Sequence, residues 1–228
     1  MMYNQKNVVM KKIYALFIFV VLTVSTLSVK AQVSTGVDLY SSYVWRGTKF
    51  GGPSVQPSIK YTVGGLTAGV WGSYDVTGYA ETDPYLSYSL PFGLSLGVTD
   101  YYYEGDFTDL SDSTGNHAFE LNAGYSKGSF SLAANYILNQ AGGAASMGGD
   151  MYFQATYAFK KFSAFIGAGN GWHTIDTDAG EDKFNICNVG IQTSKTIELT
   201  DKFSIPVTGQ LIVNPDSKQI FMVVGISL

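Results

Sequence analysis

Val33-Ser-Thr-Gly-Val-Asp-Leu-Tyr-Ser-Ser-Tyr-Val-Trp45 alternates in character residue by residue. Val33, Thr35, Val37, Leu39, Tyr43 and Trp45 fall on one side, and Ser34, Gly36, Asp38, Tyr40, Ser42 and Arg46 on the other. In an extended chain successive side chains point to opposite faces, so this pattern makes a strand with one apolar and one polar face. The same alternation predicts strands over 33–46, 55–63, 66–76, 83–90, 94–103, 117–126, 129–139, 150–159, 162–169, 184–194, 203–214 and 219–228. The fold class is therefore all-β. With the apolar faces turned outward, the strands close into a single antiparallel transmembrane β-barrel of about twelve strands, ten or fourteen being the alternatives. An even count puts both termini on the periplasmic side. A soluble sandwich or lipocalin-like barrel would alternate equally, but would turn polar residues outward.

The turns test this register, because cross-strand neighbours share a face. Gly64-Gly65 sets Val63 against Leu66, and Lys160-Lys161 sets Phe159 against Phe162. Pro91-Phe92-Gly93 sets Leu90 against Leu94, and Lys127-Gly128 pairs Ser126 with Ser129. Each turn joins apolar face to apolar face. Connections also alternate in length: these are short, whereas 47–54, 77–82, 104–116, 140–149 and 170–183 are longer and 215–218 is a short exception. Short periplasmic turns and longer extracellular loops are the habit of outer-membrane barrels. The connection 195–202 is longer than its siblings, and Asn185-Ile186 leaves both faces of strand 184–194 ambiguous.

Lys6, Lys11 and Lys12 precede the apolar run Ile13 to Val29, and Val29-Lys30-Ala31 is a small-x-small site. This order predicts a secretory signal peptide over residues 1–31, leaving residues 32–228 as one barrel domain. The leader holds four of the fourteen basic residues and none of the eighteen acidic ones, so the mature chain carries ten against eighteen, a net charge of −8. That balance argues against nucleic acid as a partner. The single cysteine, Cys187, rules out an internal disulfide.

The proposed outer face reads Leu66, Ala68, Val70, Tyr74, then Leu86, Tyr88, Leu90, then Phe119, Leu121, Ala123, Tyr125, with almost no charge. Tyr43, Trp45, Tyr74 and Tyr102 sit at the predicted outer rim, and Tyr61, Tyr125, Phe130, Tyr157, Phe159 and Phe162 at the inner rim, as interfacial girdles would. The final strand keeps Ile220, Met222, Val224, Ile226 and Leu228 in register, a pattern similar to the signal read by barrel-assembly machinery, although Leu228 replaces its usual aromatic. The partners expected are outer-membrane lipid and lipopolysaccharide, the assembly machinery and small polar solutes, with the barrel a monomer in the outer membrane of a Gram-negative bacterium.

Val37-Asp-Leu-Tyr-Ser-Ser-Tyr-Val-Trp-Arg-Gly47, Pro53-Ser-Val-Gln-Pro57 and Gly69-Val-Trp-Gly-Ser73 together resemble the opening of the TorF-type porin family. There a first strand ends in an aromatic-Arg-Gly corner, Pro and Gln open the second strand, and Gly-x-Trp-x-Ser lies in the third. The match covers the first stretch of the barrel and implies an outer-membrane barrel with a pore function.

Enzymatic chemistry lacks its parts. His117 occupies a lipid-facing position near a rim, where an outer-membrane phospholipase keeps its histidine, but the accompanying serine is missing from His117-Ala118-Phe119. A rim histidine facing headgroups or Glu104 is the plainer reading. Asp176, Asp178, Glu181 and Asp182 crowd one loop, yet Gly180 and Cys187 break the EF-hand spacing, so no metal site and no cofactor are expected. Function then falls to the lumen, where the inward parity places Asp38, Arg46, Lys60, Asp75, Asp83, Glu120 and Asp150 among small polar residues. Pairing Arg46 with Gln56 and Ser42 with Lys60 puts the two cations on one wall, opposing Asp38 and Glu120 in a water-filled bore. The expectation is a narrow channel for passive diffusion of small hydrophilic solutes, without a plug and constricted at most by an inward-folded 104–116 or 170–183 loop. A non-conducting structural or adhesive barrel is the alternative.

Overall fold

The computed structural model describes residues 31–174 and 183–228. The predicted leader up to Lys30 and the carboxylates Asp176, Asp178, Glu181 and Asp182 lie outside the described residues. Twelve antiparallel strands close into one barrel. They are β1 (Gln32–Tyr40), β2 (Ser54–Val63), β3 (Leu66–Asp75), β4 (Ala80–Ser89), β5 (Leu94–Tyr103) and β6 (His117–Lys127), followed by β7 (Phe130–Ile137), β8 (Met151–Ala158), β9 (Ser163–Gly169), β10 (Asn185–Thr200), β11 (Phe203–Asn214) and β12 (Gln219–Ser227). Each pairs with its sequence neighbour, and β1 meets β12 through the pairs Asp38↔Ser227, Leu39↔Ile226 and Tyr40↔Gly225.

The exterior is the apolar half of the alternation. Leu86, Leu96, Leu121, Leu132, Phe153 and Ile191 stand 44–51% exposed around the wall, where a water-soluble barrel would set polar groups. Links of two to four residues join one end; at the other, 41–53, 104–116, 138–150 and 170–184 are long, 215–218 is short as expected, and the link expected over 77–82 is only 76–79 because β4 already starts at Ala80. Val63↔Leu66 pair as the turn chemistry requires, and the rings of Phe159 and Phe162 stack with centroids 4.7 Å apart. At the third hairpin the pairs are Lys127↔Phe130 and Ser126↔Ser131, two residues out of step with the expected Ser126 to Ser129 pairing. The left-handed Gly128, with φ of 61°, serves the link one position later, so parity is kept.

Three further stretches differ from the sequence reading or resolve it, each for a local reason. The link expected over 195–202 is strand: β10 continues to Thr200 and turns through Asp201-Lys202, with Ile197↔Ile205 and Lys195↔Val207 continuing the ladder. The ambiguity at Asn185-Ile186 is a β-bulge, since Gly167 pairs with Asn188 and Ala168 with Ile186, leaving Cys187 as the extra residue. The bulge lets Ile186 face outward while Cys187 is fully buried.

The third is the largest. The strand expected over 33–46 ends at Tyr40, and the chain makes a second hairpin, Tyr43–Trp45 against Thr48–Gly51. Arg46 and Gly47 form its tip with φ of 49° and 85°, the double left-handed turn that matches strand twist in a two-residue hairpin. β1 therefore pairs Asp38↔Gln56 and Ser34↔Lys60, in place of the Arg46 to Gln56 and Ser42 to Lys60 register. Tyr43 and Trp45 do not belong to a rim girdle either. They pack inside the barrel against Phe50, Trp71, Tyr79, Tyr101 and Trp172, with ring centroids 5.3–6.3 Å apart.

Candidate functional site

The residues 41–53 fill the long-loop half of the lumen, and their anchors are spread over the wall. At the base, Asp75 at the end of β3 accepts the Gly52 N–H at 2.9 Å, and Ser42 Oγ donates to Gly51 O at 3.1 Å. At the tip, Asn214 Nδ2 of β11 donates to Gly47 O at 3.0 Å. Gly47 lies against the carbonyl of the bulged Cys187 with no room for a β-carbon.

Arg46 reaches across the lumen. Its Nη1 and Nη2 donate to the two oxygens of Glu120 on β6 at 2.6 and 2.8 Å, a planar fork on a planar carboxylate. Glu120 also accepts Tyr101 Oη–H at 2.9 Å and Asn122 Nδ2–H at 2.6 Å, so the buried anion receives four donors. The Arg46 guanidinium is sandwiched by rings, 4.2 Å from the Trp45 centroid and 4.6 Å from that of Tyr152. The Glu120 side chain is 1% exposed and that of Arg46 12%, so water screens this pair little.

His173 completes the knot from the turn Gly171–His173, outside the strands. Its Nε2 lies 3.5 Å from Arg46 Nη1. Arginine has only protons to give, so Nε2 is the acceptor and Nδ1 carries the ring proton. Nδ1 is buried with no hydrogen-bond partner among the described residues. Burial, and secondarily the Arg46 charge, push the His173 pKa down to about 3. Trp172 caps the assembly, its Nε1 donating to Ala145 O at 2.8 Å. The connection 138–150, which contributes the short hairpin Gln140–Ala141 against Ser146–Met147, thus roofs the plug.

Of the lumen residues expected from parity, the structure brings Arg46 and Glu120 into direct contact. Asp75 holds the hairpin base. Asp83 is buried behind the plug, 4% exposed, on the face of β4 that pairs with Trp71. Asp38 shares the inward face with Gln56, and Lys60 shares it with Gly69, away from Arg46. The two cations are not on one wall, because Arg46 left the strand. Of the two loops expected to constrict the bore, the 170–183 connection contributes Trp172 and His173, while 104–116 covers His117 with Phe107 and holds the roofing connection, Gly142 N–H donating to Asp112 O at 3.1 Å and Gly143 N–H to Gly115 O at 2.9 Å. There His117 is buried, its Nδ1 2.9 Å from Asp100 and its Nε2 3.0 Å from Phe107 O, so its carboxylate partner is Asp100 and not Glu104. Tyr101 and Tyr152 stand on the inward parity of β5 and β8. Nothing in the alternation could place His173, which sits on a loop turn.

The three stretches carrying the TorF-type resemblance make one unit here: the tip Trp45-Arg46-Gly47, the hydrogen-bonded Gln56 and Ser73, and Trp71 packed on Tyr43. No protein-family model matches this sequence, and no curated protein is significantly similar to it.

Proposed function

We propose that the chain is an outer-membrane channel for small hydrophilic solutes, of the TorF porin type, whose bore is held shut by the hairpin 41–53. The observation that carries this reading is the Arg46–Glu120 bridge. A barrel that filled its own interior would do so with strand side chains, whereas here the hairpin 41–53, capped by Trp172 and His173, supplies much of the filling from outside the barrel strands. The predominantly apolar exterior supports residence in a bilayer, with the long connections 104–116 and 138–150 on the extracellular side and the short turns in the periplasm.

Planar-bilayer recording of the refolded mature chain tests it. A barrel in which residues 42–52 are replaced by a short Gly-Asn-Gly link gives stable conductance steps, and Glu120→Gln in the full chain raises the frequency of brief openings. Silence of the hairpin-deleted barrel, correctly folded, overturns the channel. The non-conducting structural barrel stands as a second reading because Glu120 is so completely enclosed. Wild-type silence at every voltage, with conduction after hairpin deletion, favours that second reading.

A further inference from the structure

Beneath the plug the lumen keeps a chamber of about 290 Å³, roofed by Val44, Arg46 and Gly47. Its walls carry Gln154 and Thr156 from β8, Ser163 from β9, Asn188 and Gln192 from β10, and Gln210 from β11, with the Phe165 ring among them. Ser163 and Gln192 pair at the short-turn end, and Gln192 is exposed, so the chamber opens that way.

The chemistry of this lining is narrow. Arg46 is its one charged residue among the described residues, and that charge is already bound by Glu120. An ion entering from the periplasmic end would shed water and find no counter-charge. The amides and hydroxyls, by contrast, each offer donors and acceptors within one cavity. Several are already aligned: Gln210 Nε2 donates to Gln192 Oε1 at 3.0 Å, Tyr152 Oη to Gln154 Oε1 at 2.6 Å, and Gln154 Nε2 to Thr156 Oγ1 at 3.1 Å. Asn188 spends its Nδ2 on Tyr152 Oη at 2.8 Å and Gln154 Oε1 at 3.1 Å. Its Oδ1, on a residue 5% exposed, is buried with no partner among the described residues. That oxygen is sealed even from water, so the groups a ligand meets are the amides and hydroxyls of Gln154, Thr156, Ser163, Gln192 and Gln210 that line the chamber. Phe165 adds an apolar face. The volume corresponds to about ten waters at ~30 Å³ each, the space of one sugar ring and not of a chain.

We propose that this chamber is a binding site for a neutral polyhydroxylated solute of monosaccharide size, entered from the periplasmic end. The inference deepens the channel reading and rests on it for the route of passage, though not for binding itself. Trp45, stacked on the roofing Arg46, is the reporter. Tryptophan fluorescence of the refolded full chain in detergent is titrated with glucose, and in parallel with glucose 6-phosphate and sodium acetate at matched ionic strength. Glucose gives a saturable change, confirmed by calorimetry. Gln192→Ala and Gln210→Ala, at the open floor where folding tolerates them, each weaken it about fivefold for the hydrogen bonds lost. Glucose 6-phosphate and acetate give no saturable change. A chamber holding water only would give a linear or absent response to glucose and overturns the proposal, as does equal affinity for glucose 6-phosphate. The channel fails separately: saturable glucose binding with a silent hairpin-deleted barrel keeps the site and removes the pore. Conductance without any response to glucose removes the site.

Discussion

The α-carbon of Gly47 faces the carbonyl oxygen of Cys187 so closely that a β-carbon placed on it would overlap that oxygen. The contact joins the tip of the inserted hairpin to the Cys187 bulge of β10, and both backbones are bent for it: Gly47 has a φ of 85°, and Cys187 is the unpaired residue of the β9–β10 ladder. The bulge is thus the socket of the plug.

Gly47→Ala is expected to unseat the hairpin. The left-handed backbone alone costs a non-glycine residue about 1–2 kcal/mol, and here the overlap with Cys187 adds to it. Limited trypsin digestion of the refolded protein reads the outcome: cleavage after Arg46 in the variant, mapped by mass spectrometry, and protection of that bond in the wild type. Equal protection in both would show that the tip tolerates the methyl group.

Removing Arg46 strands a carboxylate that is sealed from water. Breaking one half of a buried pair typically costs about 3–5 kcal/mol, whereas replacing both halves with apolar groups of similar volume costs far less. Arg46→Ala should therefore lower the urea midpoint of the vesicle-embedded barrel strongly, and Arg46→Leu combined with Glu120→Leu should recover most of that loss. An Arg46→Ala barrel as stable as the wild type would mean that the bridge contributes nothing to the closed lumen.

His173 supplies a pH dependence with a definite sign. Its folded pKa, about 3, lies below the ordinary 6.5, so protonation favours the unfolded chain. The stability tied to the neutral ring is complete above the unfolded value and is lost as pH falls from about 6.5 towards 3. Between pH 7 and pH 5 the expected decrease is about 2 kcal/mol. His173→Asn should flatten that window relative to the wild type, and an unchanged slope in urea unfolding at the two pH values would place the titration elsewhere.

Leu121 stands mid-strand on the exterior, 48% exposed. In a bilayer, Leu121→Arg costs about 2–4 kcal/mol if that position lies near the midplane. On a water-washed wall the same change would be nearly neutral. Folding into lipid vesicles, followed by the shift in electrophoretic mobility on heating, separates the two environments.

The alternation read in the sequence is a record of two environments, and it locates twelve strands wherever grease outside and polarity inside differ. It loses its meaning where a segment is enclosed on both sides. Tyr43, Val44 and Trp45 keep period two inside the lumen, so they read as a continuation of β1, and only the doubly left-handed Arg46-Gly47 tip marks the reversal. The same blindness works in the opposite direction at 195–202, where Ile197 and Leu199 continue the period but the polar residues between them read as a loop. Glu120 and Arg46 were both identifiable as lumen charges. Their partnership was not, because a register built on an unbroken first strand sends Arg46 to the wrong neighbour. Asn188 was hidden by the bulge one residue before it, which exchanges the faces of β10.

The closing seam has a consequence for the order of assembly. β1 and β12 share three ladder pairs, and the next contact along is made by Ser41, whose N–H donates to Val224 O at 2.8 Å and whose Oγ accepts Val224 N–H at 3.0 Å. The plug starts at that residue. The other root of the hairpin is Gly52, held by Asp75 at the same rim, so the hairpin enters the lumen through the open mouth while its first root waits for the last strand. The earliest barrel strand to be synthesised waits for the latest, and the seam that joins them also fixes one root of the hairpin. Whatever loosens this seam also loosens the footing of the plug.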